Sequence, residues 1–473
     1  MNTNRNIIPE KVDTIHLIAV CGTGMAALAA MLKDLGFSVS GSDQNVYPPM
    51  SDFLADKGIA VSSGYRAENL DHRPDLVVVG NAVSKDNPEV VAMLGAGLCF
   101  CSMPQALNHF VAAGKKPIVI TGTHGKTTTA SLAAWLLFKA GLDPSFMIGG
   151  ILKNFDSNYR LGAGEHIVIE GDEYDTAFFD KGPKFLHYRP HLAILTSVEF
   201  DHADIFRDLE HVKAVFRQMT SRVPEESTLI AYDDDSNVRE VLTGAASGVE
   251  FYGRRPESLW RLQADRIEPP LTAFEVVKNG ARYASFRTPM VGRHNLLNAL
   301  STIAVADHLN IPPSVLGEAL KSFKGIRRRQ EVRGRKRGIT VMDDFAHHPT
   351  AVRETIAAVR PFYPQGRLIA VFEPRTNTSM RDVFQDVYPK CFDQADLICI
   401  RRPPLLKKIP EGQRFSSEKL VEDLEKRGKA ARFFEETNAI IDFLVPEARD
   451  GDVVLIMSNG GFDNIHERLL KRL

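Results

Sequence analysis

Short apolar runs ending at glycines or acids recur along the whole chain, and between them lie segments whose apolar residues return every three or four positions. The runs at residues 15–20, 76–79, 118–120, 167–169, 192–195, 339–342, 368–372, 395–400 and 452–457 carry few polar positions. Such runs predict strands buried on both faces, as in parallel sheets. Residues 25–35 read as a helix closed by Gly36, with a second strand at 37–40. Residues 131–140 read as a helix stopped by Gly141 and Pro144, and an amphipathic helix opens within 291–299. Residues 273–286 predict a hairpin turning at Asn279-Gly280. Strand and helix patterns that alternate in this way predict an α/β protein.

The strand at 118–120 runs into Thr121-Gly122-Thr123-His124-Gly125-Lys126-Thr127-Thr128-Thr129, and a helix follows. Backbone N–H groups at a glycine turn face an anion, and the helix N-terminus adds its dipole there. Lys126 would supply a point charge for β/γ-phosphates and Thr127 a hydroxyl for magnesium. The upstream glycine, Gly122, stands only three positions before Gly125, so the turn should be shorter than in the usual phosphate loop. Residues 15–40 form a βαβ pattern around Gly22-Thr23-Gly24 with Ala27, and Asp43 stands near the distance of a ribose-binding acid. Any nucleotide diphosphate can use that turn, with Asp43 or Ser42 on a sugar hydroxyl. Gly80-Asn81-Ala82 closes a strand where open α/β sheets place their ligands.

Strands also end at Glu170-Gly171-Asp172-Glu173 and near Glu199-Phe200-Asp201-His202. Acids and a histidine arriving at the phosphate edge of a sheet can bind magnesium or orient a phosphate-bound reactant. Asp233-Asp234-Asp235 reads as an exposed turn. At the helix start near 293, His294, Asn295 and Asn298 could read an adenine edge, or Asn295 could serve as an N-cap. Residues 327–337 are strongly basic, as a solvated linker or an anion site would be. The strand after them ends at Asp343-Asp344-Phe345-Ala346-His347-His348, where Asp344 could hold a ribose and either histidine could touch phosphate or substrate.

With 473 residues, the chain has length for about three domains. The expected division is a Rossmann-like N-terminal domain (1–114), a central P-loop ATP-binding domain (115–326) and a Rossmann-like C-terminal domain (327–473). The polar N-terminus and the lack of a long apolar stretch predict a cytoplasmic protein with no membrane span. Five cysteines without a C-x-x-C pair predict reduced, mostly buried thiols. A net charge of −1 gives no reason to expect nucleic acid as partner.

Taken in order, these residues resemble the Mur ligase family, ATP-dependent ligases that join amino acids or peptides to the lactyl carboxylate of a UDP-linked muramic acid. The resemblance spans essentially the whole chain. It rests on the glycine turn at Gly22-Thr23-Gly24-Met25 with Gly41-Ser42-Asp43, the Thr121 to Thr129 loop, Glu170, Asp201-His202, the Gly292-Arg293-His294-Asn295 helix start, the double-arginine segment and Asp344-Phe345-Ala346-His347-His348-Pro349.

The resemblance implies ATP and Mg2+ as cofactors, with Lys126, Glu170 and His202 catalytic and Thr127, Glu170 and His202 holding magnesium. ATP would contact Gly122, Thr123, His124, Gly125, Lys126, Thr127, Thr128, His294, Asn295, Asn298, Arg329 and Asp344. A UDP-sugar would contact Gly22, Thr23, Gly24, Met25, Ser42, Asp43 and Asn81, and a peptide Arg375, His347 and His348. Several relatives carry a carbamylated lysine beyond the His202 loop. The matching position here is Phe216 and Lys213 is out of register, so no carbamate is expected.

Within the family, Glu173-Tyr174-Asp175-Thr176, the run 199–206, Glu373-Pro374-Arg375-Thr376-Asn377-Thr378 and Met457-Ser458-Asn459-Gly460-Gly461-Phe462 look like one branch. Its members attach the murein tripeptide L-alanyl-γ-D-glutamyl-meso-diaminopimelate to UDP-N-acetylmuramate in peptidoglycan recycling. Members that attach L-alanine are the alternative. Several carboxylates on the tripeptide suit the basic stretch and Arg375 better than alanine does. The implied partners are these small molecules, with no nucleic acid, no membrane, and a monomer or weak homo-oligomer. Two readings outside the family remain: an NAD-dependent oxidoreductase, prompted by the first glycine turn, and a non-catalytic nucleotide-binding interaction module.

Overall fold

The computed structural model describes residues 5–48 and 50–473, so Met1 to Asn4 of the polar N-terminus lie outside the described residues. Two units make up the chain. The first comprises Met1–Val198, Glu210–Trp260 and Ser301–Ala319, and the second Glu199–Leu209, Arg261–Leu300 and Leu320–Leu473.

The first unit contains two sheets. Strands β1 (Thr14–Ile18), β2 (Ser38–Asp43), β3 (Ala60–Ser63), β4 (Leu76–Val79) and β5 (Phe100–Ser102) run all parallel in the order β3-β2-β1-β4-β5. The second sheet draws on β6 (Lys116–Thr121), β7 (Ser145–Leu152), β8 (Ser157–Arg160) and β9 (His166–Glu170). After the small hairpin β10 (Asp175–Ala177) and β11 (Asp180–Pro183), it continues with β12 (Leu192–Leu195), β13 (Thr228–Tyr232) and β14 (Gly248–Gly253). Its order is β14-β13-β12-β6-β9-β7-β8.

The helix Thr23–Asp34 is buried continuously from Met25 to Leu32. A helix apolar on every side needs cover on every side. Here the cover is one core in which Leu28 and Met31 cluster with Val119, Met147, Tyr159, Ile167 and Ile169 of the second sheet. Tyr159 Oη also donates to Asp34 Oδ2 at 2.8 Å. The boundary read at residue 114 therefore marks a change of sheet, and the core runs across it.

The second unit holds β15 (Trp260–Glu268, from Arg261 on), β16 (Leu271–Lys278) and β17 (Ala281–Thr288), the last two antiparallel. Their turn is Asn279-Gly280 with φ of 50° and 76°, as the sequence predicts. A six-stranded sheet follows, β18 (Glu331–Lys336), β19 (Ile339–Asp344), β20 (Leu368–Phe372), β21 (Leu397–Arg401), β22 (Ala430–Phe434) and β23 (Val453–Met457). Its order is β18-β19-β23-β20-β21-β22, parallel except for the edge strand β18. Separate cores cover its two faces, as doubly wound sheets require.

Four local expectations change. The helix expected at 131–140 begins at Lys126, because Gly125 in a left-handed conformation turns the chain into it. Asn295 is no N-cap: the helix is Arg293–His308, and Asn295 Nδ2 reaches back to donate to Val291 O at 2.8 Å. Asp233 is wholly buried and accepts from Ser258 Oγ at 2.6 Å, so the acidic triplet is only partly a surface turn. The basic stretch is largely the edge strand β18. Arg328 Nη2 donates to Ser458 O and Gly460 O at 2.6 Å each, and Arg333 pairs with Glu467 at 3.3 Å. Phe216 is buried against Phe185, while Lys213 pairs with Glu240 at 2.7 Å.

Candidate active site

In the first unit the phosphate loop is stitched to the end of β12. Thr121 Oγ1 donates to Ile194 O (2.9 Å), Thr196 Oγ1 to Thr121 O (3.0 Å), and Thr123 N to Ser197 O (3.0 Å). His124 N donates to Ser197 Oγ at 2.9 Å. Such closeness demands glycine at 122, where φ is 122° and a Cβ would stand 2.1 Å from Thr196 Oγ1. Lys126, Thr127 and Thr128 then form the first turn of the helix Lys126–Lys139.

Because β6 lies between β12 and β9, Glu170 emerges beside the loop. Thr127 Oγ1 donates to Glu170 Oε2 at 3.2 Å, and Glu170 Oε1 accepts Gly149 N–H at 2.7 Å. A hydroxyl and a carboxylate oxygen side by side are the hard donors that magnesium takes. Lys126 Nζ lies 2.6 Å from Gly122 O and 2.7 Å from Glu173 Oε2. Burial opposes the ammonium charge, but the carboxylates of Glu173, Asp172 and Glu170 outweigh it and hold the pKa above its usual value.

At the ends of β1, β2 and β4, Gly22, Thr23 and Asn81 are exposed, Gly24 is half-buried and Met25 is buried. Asp43 Oδ2 accepts Cys21 N–H and Oδ1 accepts Asn45 N–H, both at 3.0 Å, so this acid braces the glycine turn. Ser42 is turned inward. It is fully buried and its Oγ donates to Glu89 Oε2 at 2.5 Å, which takes its side chain out of reach of a surface sugar. Glu89 itself, wholly buried with His16 Nε2 at 3.9 Å, was not legible in sequence. Its position in the first turn of the helix Pro88–Gly95, capped by Asn87, looks like ordinary helix chemistry.

The remaining candidates belong to the second unit. Asn298 Nδ2 lies 3.4 Å from Asn295 Oδ1, and the Arg329 guanidinium sits 4.8 Å from the Phe345 ring centroid. His294 is held down to about 4, by burial first and by Arg329, with Glu354 opposing. Asp344 is 4% exposed and accepts N–H from Gln330 (2.7 Å) and Ala346 (2.8 Å), and burial raises its pKa. His348 is buried and N-caps the helix Pro349–Val359, with Nδ1 accepting Thr350 N–H at 3.3 Å. Its Nε2 donates to Phe200 O at 3.1 Å, so both ring nitrogens are engaged and the ring serves structure more than a peptide.

His347 is more open, with Nε2 3.9 Å from Asp201 Oδ2. Burial of Asp201 is outweighed by His347, His202 and His348, which hold its carboxyl well below the usual range. His202 follows directly, in a left-handed conformation at φ 53°. Arg375 Nη1 stands 3.8 Å from Glu373 Oε1, and Glu373 is fully buried, pairs with Arg401 and accepts Ser458 Oγ at 2.7 Å. An acid closing the apolar run 368–372, followed two positions later by arginine, was the signal available for Glu373; its partners come from β21 and the end of β23.

Three family matches tile the chain: "Mur ligase family, catalytic domain" over residues 14–115, "Mur ligase middle domain" over 120–306 and "Mur ligase, glutamate ligase domain" over 328–460. A protein of Escherichia coli K12 named UDP-N-acetylmuramate--L-alanyl-gamma-D-glutamyl-meso-2,6-diaminoheptandioate ligase is 40% identical, covering 97% of this chain and 98% of its own length. A UDP-N-acetylmuramate--L-alanine ligase of Clostridium botulinum strain Langeland is 32% identical, with 98% of each chain covered. The crystal structure of a murein peptide ligase from Psychrobacter arcticus matches with a TM-score of 0.72 at 34% identity, covering 97% of this chain and 98% of that one.

Proposed function

Because the chain belongs to the Mur ligase family, we propose that it is an ATP-dependent carbon–nitrogen ligase joining L-alanyl-γ-D-glutamyl-meso-diaminopimelate to UDP-N-acetylmuramate, in peptidoglycan recycling in the cytoplasm. The observation that carries the acceptor is the 40% identity to the tripeptide ligase over nearly the full chain, against 32% to an alanine ligase over the same span. The phosphate-loop geometry carries the nucleotide half of the reaction.

The lactyl carboxylate of the muramate attacks the γ-phosphorus of ATP, the bond to the β-phosphate oxygen breaks, and ADP leaves an acyl phosphate. The tripeptide amine then attacks the acyl carbon and expels phosphate, with a phosphate oxygen available for the amine proton. Phosphoryl transfer of this kind depends on positioning and charge stabilisation. Lys126 would exchange Glu173 for the β/γ-phosphates, and the first-turn N–H groups of Lys126, Thr127 and Thr128 would cradle them.

Thr127 and Glu170 present the oxygen donors for magnesium, and His202 would add a nitrogen ligand. The ion supplies charge neutralisation at the phosphates. Asn295, Asn298, His294 and Arg329 would seat the adenosine, with Asp344 bracing their neighbour Gln330. Gly22, Thr23, Gly24, Met25, Asp43 and Asn81 would hold the UDP-sugar, Arg375 and His347 the peptide carboxylates.

ADP release with ATP, Mg2+ and UDP-N-acetylmuramate tests the reading, with either the tripeptide or L-alanine added. Turnover with the tripeptide alone is expected. Turnover with alanine alone would make the chain a biosynthetic alanine ligase and overturn the acceptor assignment.

A further inference from the structure

The turn Glu373-Pro374-Arg375-Thr376-Asn377-Thr378 leaves β20 with two differently employed halves. Its first half is anchored inward through Glu373, and Gly460 lies so close over the Arg375 stem that a Cβ there would stand 2.2 Å from Cδ. The guanidinium is thereby aimed from a fixed base. Its second half is bonded to residues 199–209. Thr378 Oγ1, on a residue only 3% exposed, accepts Ala203 N–H at 3.1 Å, and Asn377 Nδ2 donates to Asp204 Oδ2 at 2.9 Å.

The same segment is fastened upstream of His202. Thr350 Oγ1 donates to Glu199 Oε2 at 2.6 Å, His348 Nε2 to Phe200 O at 3.1 Å, and the Phe200 ring lies edge-on to Phe384 at 6.3 Å. Between these anchors the His202 carbonyl accepts N–H from Ile205 and Phe206 at 2.9 Å each, closing a tight turn. The left-handed backbone of His202 is uncommon outside glycine, although histidine takes it more readily than most residues, and the surrounding contacts hold it there. Thr378, Asn377, Thr350 and His348, which make these contacts, belong to the same unit as residues 199–209.

We propose that Thr378 and Asn377 are positioning residues for His202: they fasten the metal-binding turn to the turn that presents Arg375, so that acceptor binding and cation affinity are linked. The inference rests on the proposed roles of His202 as cation ligand and Arg375 as acceptor contact. One turn carries both functions, a carboxylate-seeking guanidinium on one side and a backbone clasp on the other. A tripeptide that orders this turn orders His202 with it, and by linkage a cation held by His202 favours the same arrangement for the peptide. The consequence is economy of ATP, since the metal site reaches full affinity only with the acceptor in place.

The test is Mn2+ affinity by electron paramagnetic resonance, in the full-length protein with a non-hydrolysable ATP analogue and UDP-N-acetylmuramate, with and without tripeptide. In the wild type the tripeptide should tighten Mn2+ binding about fivefold or more, the usual lower range for coupled sites. Thr378→Val should reduce that gain to under about twofold, Asn377→Ala should reduce it partly, and Thr378→Ser should restore it. Hydrogen exchange at Ala203 N–H should quicken in Thr378→Val and recover in Thr378→Ser, which keeps the test open if the valine variant folds poorly.

An undiminished tripeptide effect in Thr378→Val, or none in the wild type, overturns the proposal. His202→Ala and Arg375→Ala separate it from the reading beneath. If both lose their expected Mn2+ or tripeptide affinity while Thr378→Val is silent, the linkage alone is wrong. If either is silent, the assigned site is wrong and the linkage falls with it.

Discussion

The phosphate loop of the first unit and the acid-histidine strand end of the second present polar residues of similar type at the carboxyl edges of parallel sheets, yet they spend them differently. Around Gly122 the loop is held by backbone bonds and by the hydroxyls of Thr121, Thr196 and Ser197, while Lys126 rests on Glu173 and Thr127 meets Glu170. At the end of β19, Asp344 and His348 do the holding themselves, accepting backbone N–H groups from Gln330, Ala346 and Thr350. The first arrangement is held by hydroxyls and backbone. The second uses its acid and its histidine as scaffold, with Arg329 and His347 half-buried beside them. Similar residues at similar places in a sheet are therefore not equivalent evidence for a site.

The sharpest way to break that comparison is Lys126→Ala or Glu170→Ala. Each should lower ADP release by about 10²–10³-fold or more, as loss of one preorganised charge partner does. Lys126→Ala also strands the buried Glu173 carboxylate and should lower the denaturation midpoint, whereas Glu170→Ala should move it little. An unfolded variant would make the loop scaffold too. Next comes Glu373→Ala. It leaves the Arg401 guanidinium buried without its main partner, and urea denaturation should show a loss of about 3–5 kcal/mol.

Asp344→Ala should cost about 1–3 kcal/mol in stability through the stranded N–H groups of Gln330 and Ala346. A large rise in KM for ATP at unchanged stability would instead make Asp344 a direct nucleotide contact and erase the contrast.

The last effect is in pH. His294 is held down to about 4 from an ordinary 6.5, so between those values the unfolded chain binds a proton that the folded chain does not. Stability should therefore fall as pH drops from 6.5 towards 4, and His294→Gln should flatten that part of the profile measured by chemical denaturation.

Much of the strand pattern was legible because a strand buried on both faces has to be apolar throughout, as β4, β12, β20 and β23 are. The Asn279-Gly280 hairpin was legible because its positive φ angles suit those two residues. The phosphate loop was legible because its residue pattern is local to nine consecutive positions. Ser42 was not, since its inward turn depends on Glu89, which is 47 positions away. Nor was the role of the basic stretch, whose Arg328 finds the carbonyls of Ser458 and Gly460 from the far end of the chain.

The family comparisons and the order of motifs bear out the sequence reading of a Mur ligase with three domains. Where residues meet each other through neighbours in the chain, the sequence alone determined the outcome. That covers the residue pattern of the Gly122 to Thr128 loop, the apolar strands and the Asn279-Gly280 hairpin. Only the tertiary structure decided that the N-terminal and central sheets share a core, that Lys126 rests on Glu173, and that the His202 turn is clasped by Thr378. Each of these depends on which strand ends a fold brings side by side, and strand order is set by long-range packing of apolar faces, which no local window of residues encodes.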